Sequence, residues 1–113
     1  MPTHQSLGGA SDEELLQRMV ATHGERFEAT FWAFFDAHVG RRLPPRAVMI
    51  DLGCGPGLLL RDLGERYPDA VLYGYDVTPA MIAYGRQLVL RRRPRRSRST
   101  TWSPSRCRSP LPP

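Results

Sequence analysis

The segment VMIDLGCGPGLLL, from Val48 to Leu60, places small and turn-forming residues directly behind a run of apolar ones. The apolar run AVMIDL (47–52) is short and partly β-branched, which predicts a strand buried on both faces of a parallel sheet. Residues 53–57 then turn the chain. A helix is predicted to start at Pro56, because a proline in the first turn of a helix leaves no backbone donor unpaired.

A second strand is predicted over residues 70–75, AVLYGY, and it closes at Asp76. Thr78 and Pro79 suit the N-cap and first turn of another helix. The order of strand, glycine turn, helix, strand and helix predicts a right-handed βαβ unit with a further helix attached. The predicted fold class is therefore α/β, with N-terminal helices followed by β-α-β-α.

Two helices are predicted ahead of the first strand. Ser11 and Glu14 have the spacing of a capping box that opens a short amphipathic helix, and His23 with Gly24 interrupts it. The second helix spans about residues 25–39. Its apolar face is predicted to carry Phe27, Phe31, Phe34, Phe35 and His38.

Two further residues complete that interpretation. Gly40 is placed to stop the second helix. The aromatic face is predicted to belong to the core, and Trp32 lies on its flank.

Charge divides the 113-residue chain into two unequal parts. Residues 1–90 hold 8 Arg and all 11 acids, a net −3, whereas residues 91–113 hold the other 8 Arg and no acid, a net +8. The absence of lysine excludes a P-loop lysine and a Schiff-base lysine. Two distant cysteines and three scattered histidines show neither a disulfide framework nor metal-ligand spacing, so no metal is expected. Because neither a signal peptide nor a long apolar run is present, we expect a cytoplasmic protein without a membrane segment.

The glycine turn lies where nucleotide-like ligands approach the backbone of a doubly wound sheet. A dinucleotide fingerprint requires G-x-G-x-x-G, but Gly53 and Gly55 are followed by Leu58 in the third glycine place. Instead, an acid precedes G-x-G-x-G by two residues and a second acid ends the next strand. Together, IDLGCGPG and YGYDVTPAMI resemble the class I S-adenosylmethionine-dependent methyltransferases, especially their small-molecule branch, over about residues 47–88.

This resemblance implies an incomplete Rossmann-like methyltransferase fold with S-adenosylmethionine as cofactor and a small-molecule methyl acceptor. The glycines would lie along the methionine and ribose portion of the cofactor, Asp51 near its amino-acid end, and Asp76 against both ribose hydroxyls. Val77 and Met81 would lie beside the adenine. Helices ahead of the first strand would cover the cofactor, with Trp32 as the lid residue. The cofactor contacts implied are Asp51, Gly53, Cys54, Gly55, Gly57, Asp76, Val77 and Met81.

The chemistry of these residue types is consistent with those roles. A carboxylate has two acceptor oxygens for a cis-diol, and two nearby anions favour a cofactor with a net positive charge. Methyl transfer depends mainly on holding an acceptor in line with the methyl group, so no catalytic base is named. Cys54 has no neighbouring base and is predicted to be a small buried residue instead of a nucleophile.

Residues 91–113 consist almost wholly of Arg, Ser, Pro and Thr, and they are predicted to be disordered. One interpretation is a segment that binds phosphate backbones, which would make the protein a nonenzymatic nucleic-acid binder. The interpretation we favour is a frameshift or truncation, because the change in character falls inside a helix.

Three segments follow from these patterns: an N-terminal helical cap (1–45), a partial cofactor-binding domain (46–90) and the Arg-rich segment (91–113). A sheet of only two strands is marginal alone. We therefore expect weak or no activity from the chain alone, and association through the exposed edge of the sheet. A regulatory fragment that pairs with a longer relative is the third hypothesis.

Overall fold

The computed structural model describes residues 9–90 of the chain. Three helices come first, α1 (Asp12–Ala21), α2 (His23–Arg26) and α3 (Ala29–His38), followed by a 3₁₀ turn (Gly40–Arg42). The order then continues as β1 (Val48–Leu52), α4 (Leu58–Arg66), β2 (Val71–Tyr75) and α5 (Pro79–Leu90). The predicted sequence of N-terminal helices and β-α-β-α is confirmed.

The two strands form a parallel sheet in which Val48 pairs with Val71 and Leu52 pairs with Tyr75. Because side chains alternate along a strand, this register defines two faces. The inner face carries Met49, Asp51, Leu72 and Gly74. The outer face carries Val48, Ile50, Leu52, Val71, Tyr73 and Tyr75.

The core lies against the inner face of the sheet. Leu72 is fully buried there and contacts a cluster from α3, α4 and α5. That cluster consists of Trp32, Cys54, Leu60, Leu63, Ala70 and Ile82, with Phe31, Phe35, Met49, Leu59 and Tyr67 packed against it. The apolar side chains of α4 thus hold the helix on the inner face and position the turn that precedes it.

The capping box at the start of α1 is confirmed. The Ser11 backbone N–H donates to Glu14 Oε2 at 2.8 Å, and the Glu14 backbone N–H donates to Ser11 Oγ at 3.2 Å. Two of the donors that a helix start leaves unpaired are therefore satisfied.

The predicted helix boundaries need two corrections. His23 and Gly24 do not interrupt the helical region but form α2, and the breaks lie at Thr22 and before Ala29. The helix predicted to start at Pro56 begins two residues later at Leu58, because Gly57 has φ of 82° and a left-handed residue cannot continue a right-handed helix.

The prediction that β1 is buried on both faces is wrong for the described part of the chain. Val48, Ile50 and Leu52 are 63%, 60% and 78% exposed, because none of the helices packed against the inner face reaches the outer one. The parallel pairing itself is as predicted.

Two aromatic residues also differ from the prediction. Trp32 is not a lid: it is buried in the core, with Phe31 and Phe35 against its ring and the Arg66 guanidinium 4.2 Å from the ring centroid. Phe34, predicted to share the core-facing side of the helix, is 64% exposed. The helix is rotated so that Trp32 packs inward and Phe34 points outward.

Candidate functional site

The glycine turn has a backbone that L side chains rarely adopt. Gly53, Gly55 and Gly57 have φ of 74°, 54° and 82°, all in the left-handed region where glycine carries no steric cost. The Gly53 and Cys54 N–H groups both donate to the Tyr75 carbonyl, at 2.7 and 3.0 Å. The turn is therefore fastened to the carboxyl end of the second strand.

Asp76 links the same turn to α5. Its Oδ2 accepts a hydrogen bond from the Gly55 N–H at 2.8 Å, and its Oδ1 accepts one from the Thr78 N–H at 2.8 Å. Each carboxylate oxygen can accept a second hydrogen bond. The carboxylate thus shapes the turn and retains acceptor capacity for a ligand.

Asp51 lies on the inner face opposite Gly74, close to that second acid. Burial raises the pKa of the Asp51 carboxyl above its ordinary value, and the negative charge of Asp76 raises it further. A bound cation would offset both effects, because it favours the charged carboxylate. The pair of acids therefore suits a ligand that carries positive charge.

A cleft of about 100 Å³, open to solvent, lies beside the turn. One wall consists of Asp51, Gly53, Cys54, Pro56, Leu58 and Leu59. The opposite wall comes from the N-terminal helices and consists of Met19, His23, Arg26 and Phe27. The cleft therefore brings together three of the predicted contacts, Asp51, Gly53 and Cys54, with four residues of the N-terminal helical region.

The remaining predicted contacts lie in the turn or close to it in sequence, and they do not line the cleft. Gly55 and Asp76 are hydrogen-bonded to each other, and Gly57 precedes α4. Val77 is 54% exposed, whereas Met81 is 2% exposed and belongs to the interior. The placement of these two residues beside an adenine stays a prediction.

The turn leaves room for a ligand on one of its glycines. A Cβ atom at Gly53 would have no neighbour within 4 Å, whereas one at Gly55 would meet the Met19 methyl carbon at 2.7 Å. An open backbone beside two acids fits a nucleoside ligand with a cationic centre. Asp51, Gly53 and Asp76 are the residues that could hold such a ligand.

Cys54 is buried, as predicted, and its thiol lies 3.7 Å from the Gly55 carbonyl oxygen. Across residues 9–90, no group of three or more His, Cys, Asp or Glu side chains is arranged to hold a metal ion. None of the helices in this range has the length and apolar character needed to cross a bilayer.

The parallel strands, with the glycine turn and the two acids at their carboxyl ends, form an α/β unit of the class in which ligands bind at that end of the sheet. Residues 49–105 match the model of a methyltransferase domain family, and this range is half of the chain. The chain belongs to that family. The matched range includes all of β1 but its first residue, together with α4, β2 and α5, and it extends into the Arg-rich segment.

Several similar proteins are trans-aconitate 2-methyltransferases. That of Mycobacterium sp. (strain KMS) is 48% identical over 56 residues, which are 48% of this chain and 21% of the relative. That of Rhodococcus jostii (strain RHA1) is 49% identical over 51 residues, 45% of this chain and 19% of the relative. That of Methylobacterium radiotolerans is 39% identical over 67 residues, 58% of this chain and 26% of the relative. The chain thus spans about a fifth to a quarter of the length of these relatives.

The nucleic-acid hypothesis depends on residues 91–113, which lie outside the described residues. The description of the family and the names of the relatives give this hypothesis no support. The disorder of this segment and its shifted reading frame stay predictions.

Proposed function

We propose that this chain is the N-terminal portion of an S-adenosylmethionine-dependent methyltransferase that acts on a small-molecule acceptor. The observation that carries the proposal is the left-handed glycine turn that follows Asp51 and is hydrogen-bonded to Asp76, at the carboxyl ends of two parallel strands. The names of the relatives make trans-aconitate the first acceptor to test. The cytoplasmic location stays a prediction from the sequence.

Each element of this site has a distinct role in the proposal. The bare backbone at Gly53 allows the cofactor to lie against the turn, and the free acceptor capacity of Asp76 suits the ribose hydroxyls. Asp51 contributes negative charge near the amino-acid end. When bound, S-adenosylmethionine supplies an electrophilic methyl group, so the protein's contribution is to bind and orient it and to exclude water.

The Met19 side of the cleft supports the same proposal. Met19 and Phe27 place apolar groups opposite the glycine turn. Such a wall removes water from a bound cofactor and strengthens the interaction of its positive charge with the two acids, because the local dielectric constant falls. The N-terminal helices therefore belong to the proposed site as well as to the core.

Association through the sheet edge also stays a prediction. Within residues 9–90, β1 has β2 as its sole strand partner, and its outer-face side chains are exposed. A partner that pairs with β1 would satisfy the backbone groups at that edge.

Calorimetric titration of the full chain with S-adenosylmethionine tests the cofactor site. We expect saturable binding that Asp76→Ala weakens by about tenfold or more, because the variant removes a charged acceptor and loosens the turn. Asp69→Ala is the matched control. Asp69 precedes β2, the strand that Asp76 follows, and it accepts a hydrogen bond from the Arg46 N–H, away from the turn. A folded chain that does not bind, or that binds equally well with Asp76→Ala, would contradict the proposal.

A further inference from the structure

His23 is buried, with 8% of its surface exposed, although it lies in a four-residue helix near the N-terminus. Its Nε2 lies 2.7 Å from Asp62 Oδ2. Because a carboxylate only accepts hydrogen bonds, the imidazole nitrogen is the donor. The other oxygen, Asp62 Oδ1, accepts from Arg61 Nε at 3.0 Å, so both oxygens of the carboxylate are engaged.

This hydrogen bond holds the part of the chain that forms the second wall of the cleft. His23 lines the cleft itself, and so do Met19 and Phe27, four residues before and after it. The rings of His23 and Phe27 lie 5.0 Å apart. The Met19 methyl group reaches the glycine turn at Gly55. The hydrogen bond that holds His23 therefore sets the distance between this wall of the cleft and the glycine turn.

Asp62 belongs to the helix that the glycine turn opens. It lies in α4, four residues after Leu58, and Gly57 immediately precedes that helix. The His23–Asp62 hydrogen bond thus joins the two walls of the cleft at one point. A displacement of His23 would change the width of the cleft without altering any predicted cofactor contact.

We propose that His23 and Asp62 are positioning residues for the cofactor, which hold α1 and α2 at a set distance from the glycine turn. This inference rests on the proposed function, because it assigns the cleft to the cofactor. It predicts that loss of the hydrogen bond weakens cofactor binding even though neither residue belongs to the glycine turn or the acid pair.

A second hydrogen bond provides a matched comparison. Tyr67 Oη donates to Asp36 Oδ1 at 2.6 Å and so joins α3 to the residue that follows α4. Neither residue lines the cleft. Loss of this bond should lower stability without changing the position of the Met19 wall.

The test uses the full chain with [methyl-¹³C]methionine, in which Met19 is one of four methionines. Two variants remove the bond: Asp62→Ala, and His23→Phe, which keeps a ring against Phe27. Asp62→Asn retains a neutral acceptor, and Tyr67→Phe is the control. The measurements are the Met19 methyl resonance without ligand, the dissociation constant for S-adenosylhomocysteine, and the free energy of unfolding in urea.

With Asp62→Ala and His23→Phe, we expect a shifted Met19 resonance and binding weakened by about tenfold, the effect of losing one hydrogen bond to a charged group. Asp62→Asn should restore binding to within about threefold, since an amide oxygen still accepts the imidazole proton. Tyr67→Phe should lower the free energy of unfolding, yet leave both the resonance and the affinity unchanged.

The inference would be overturned by an unmoved Met19 resonance in both bond-removing variants, whether or not the chain binds the ligand. It would also be overturned if Tyr67→Phe weakened binding as much as Asp62→Ala does, because the effect would then reflect stability alone. Absence of binding to the unaltered chain would count against the proposed function instead, and the Met19 resonance would still decide the positioning role.

Discussion

The two faces of the same short sheet differ in what covers them. On the inner face, Leu72 is fully buried against α3, α4 and α5. On the outer face, Ile50 and Leu52 are 60% and 78% exposed, although they belong to the strand that pairs with Leu72. A nearly continuous apolar run thus favours burial of both faces of a strand, while the neighbouring helices determine which face is buried.

The largest loss of stability is expected from Leu72→Ala, on the inner face. Removing this fully buried side chain should lower the free energy of unfolding by about 3 kcal/mol, through lost burial and the cavity that remains. Urea denaturation of the full chain followed by circular dichroism provides the measurement. A loss below about 1 kcal/mol would mean that the inner face is loosely packed.

A smaller effect is expected from Gly74→Ala, which adds a methyl group to the same inner face. Its Cβ would meet Leu60 Cδ1 and lie 2.8 Å from Cys54 Sγ, so overpacking should destabilise the fold by about 1–3 kcal/mol. Gly24→Ala is the control, because a Cβ there meets nothing within 4 Å and the residue is helical. Equal stabilities of the two variants would contradict the tight packing of Leu60 and Cys54 against Gly74.

Asp51→Asn tests the charge on the inner face. Because burial and Asp76 raise the Asp51 pKa in the folded state, that state holds the proton to higher pH than the unfolded chain does. Stability from this group is therefore present at low pH and is lost as pH rises through the folded pKa. Asp51→Asn should be more stable than the unaltered chain by about 0.5 kcal/mol at neutral pH, a small value because the group is partly exposed.

The stability gain of Asp51→Asn should vanish at acidic pH, where the Asp51 carboxyl is protonated. Parallel urea titrations across the acidic and neutral range check this. The same variant should bind S-adenosylmethionine more weakly. A variant that is less stable at neutral pH would show that the carboxylate is favourably paired in the folded chain.

The smallest effect is expected on the outer face. Ile50→Thr should change the free energy of unfolding by less than about 0.5 kcal/mol, because the side chain already contacts water and threonine retains β-branching. If Ile50→Thr lowered the free energy of unfolding nearly as much as Leu72→Ala does, the outer face would be covered in solution. The predicted association through β1 would then gain support.

Local patterns in the sequence predicted much of this fold. The capping box at Ser11, the strand before the turn and the start of α5 at Pro79 depend on nearby residues, and the structure has each of them. The start of α4 was misplaced at Pro56 because the left-handed conformation of Gly57 depends on how the turn is fastened to β2. Local preference alone does not reveal that connection.

The sequence predicted residues of only one wall of the candidate site. Asp51 and Gly53 follow a recognisable spacing, whereas His23 was interpreted as a helix interruption. Its partner Asp62 lies 39 residues away, and no periodicity in a single sequence connects the two. The orientation of Trp32 likewise depends on a tertiary contact, that with Arg66 of α4.

The central claim is that the glycine turn binds S-adenosylmethionine. Titration of the cofactor into ¹⁵N-labelled full chain, followed through the backbone amides of Gly53, Gly55 and Thr78, tests it most directly. We predict saturable shifts concentrated at these amides and nearly abolished by Asp76→Ala. Unmoved turn amides in a folded chain, or shifts confined to residues 91–113, would contradict the account.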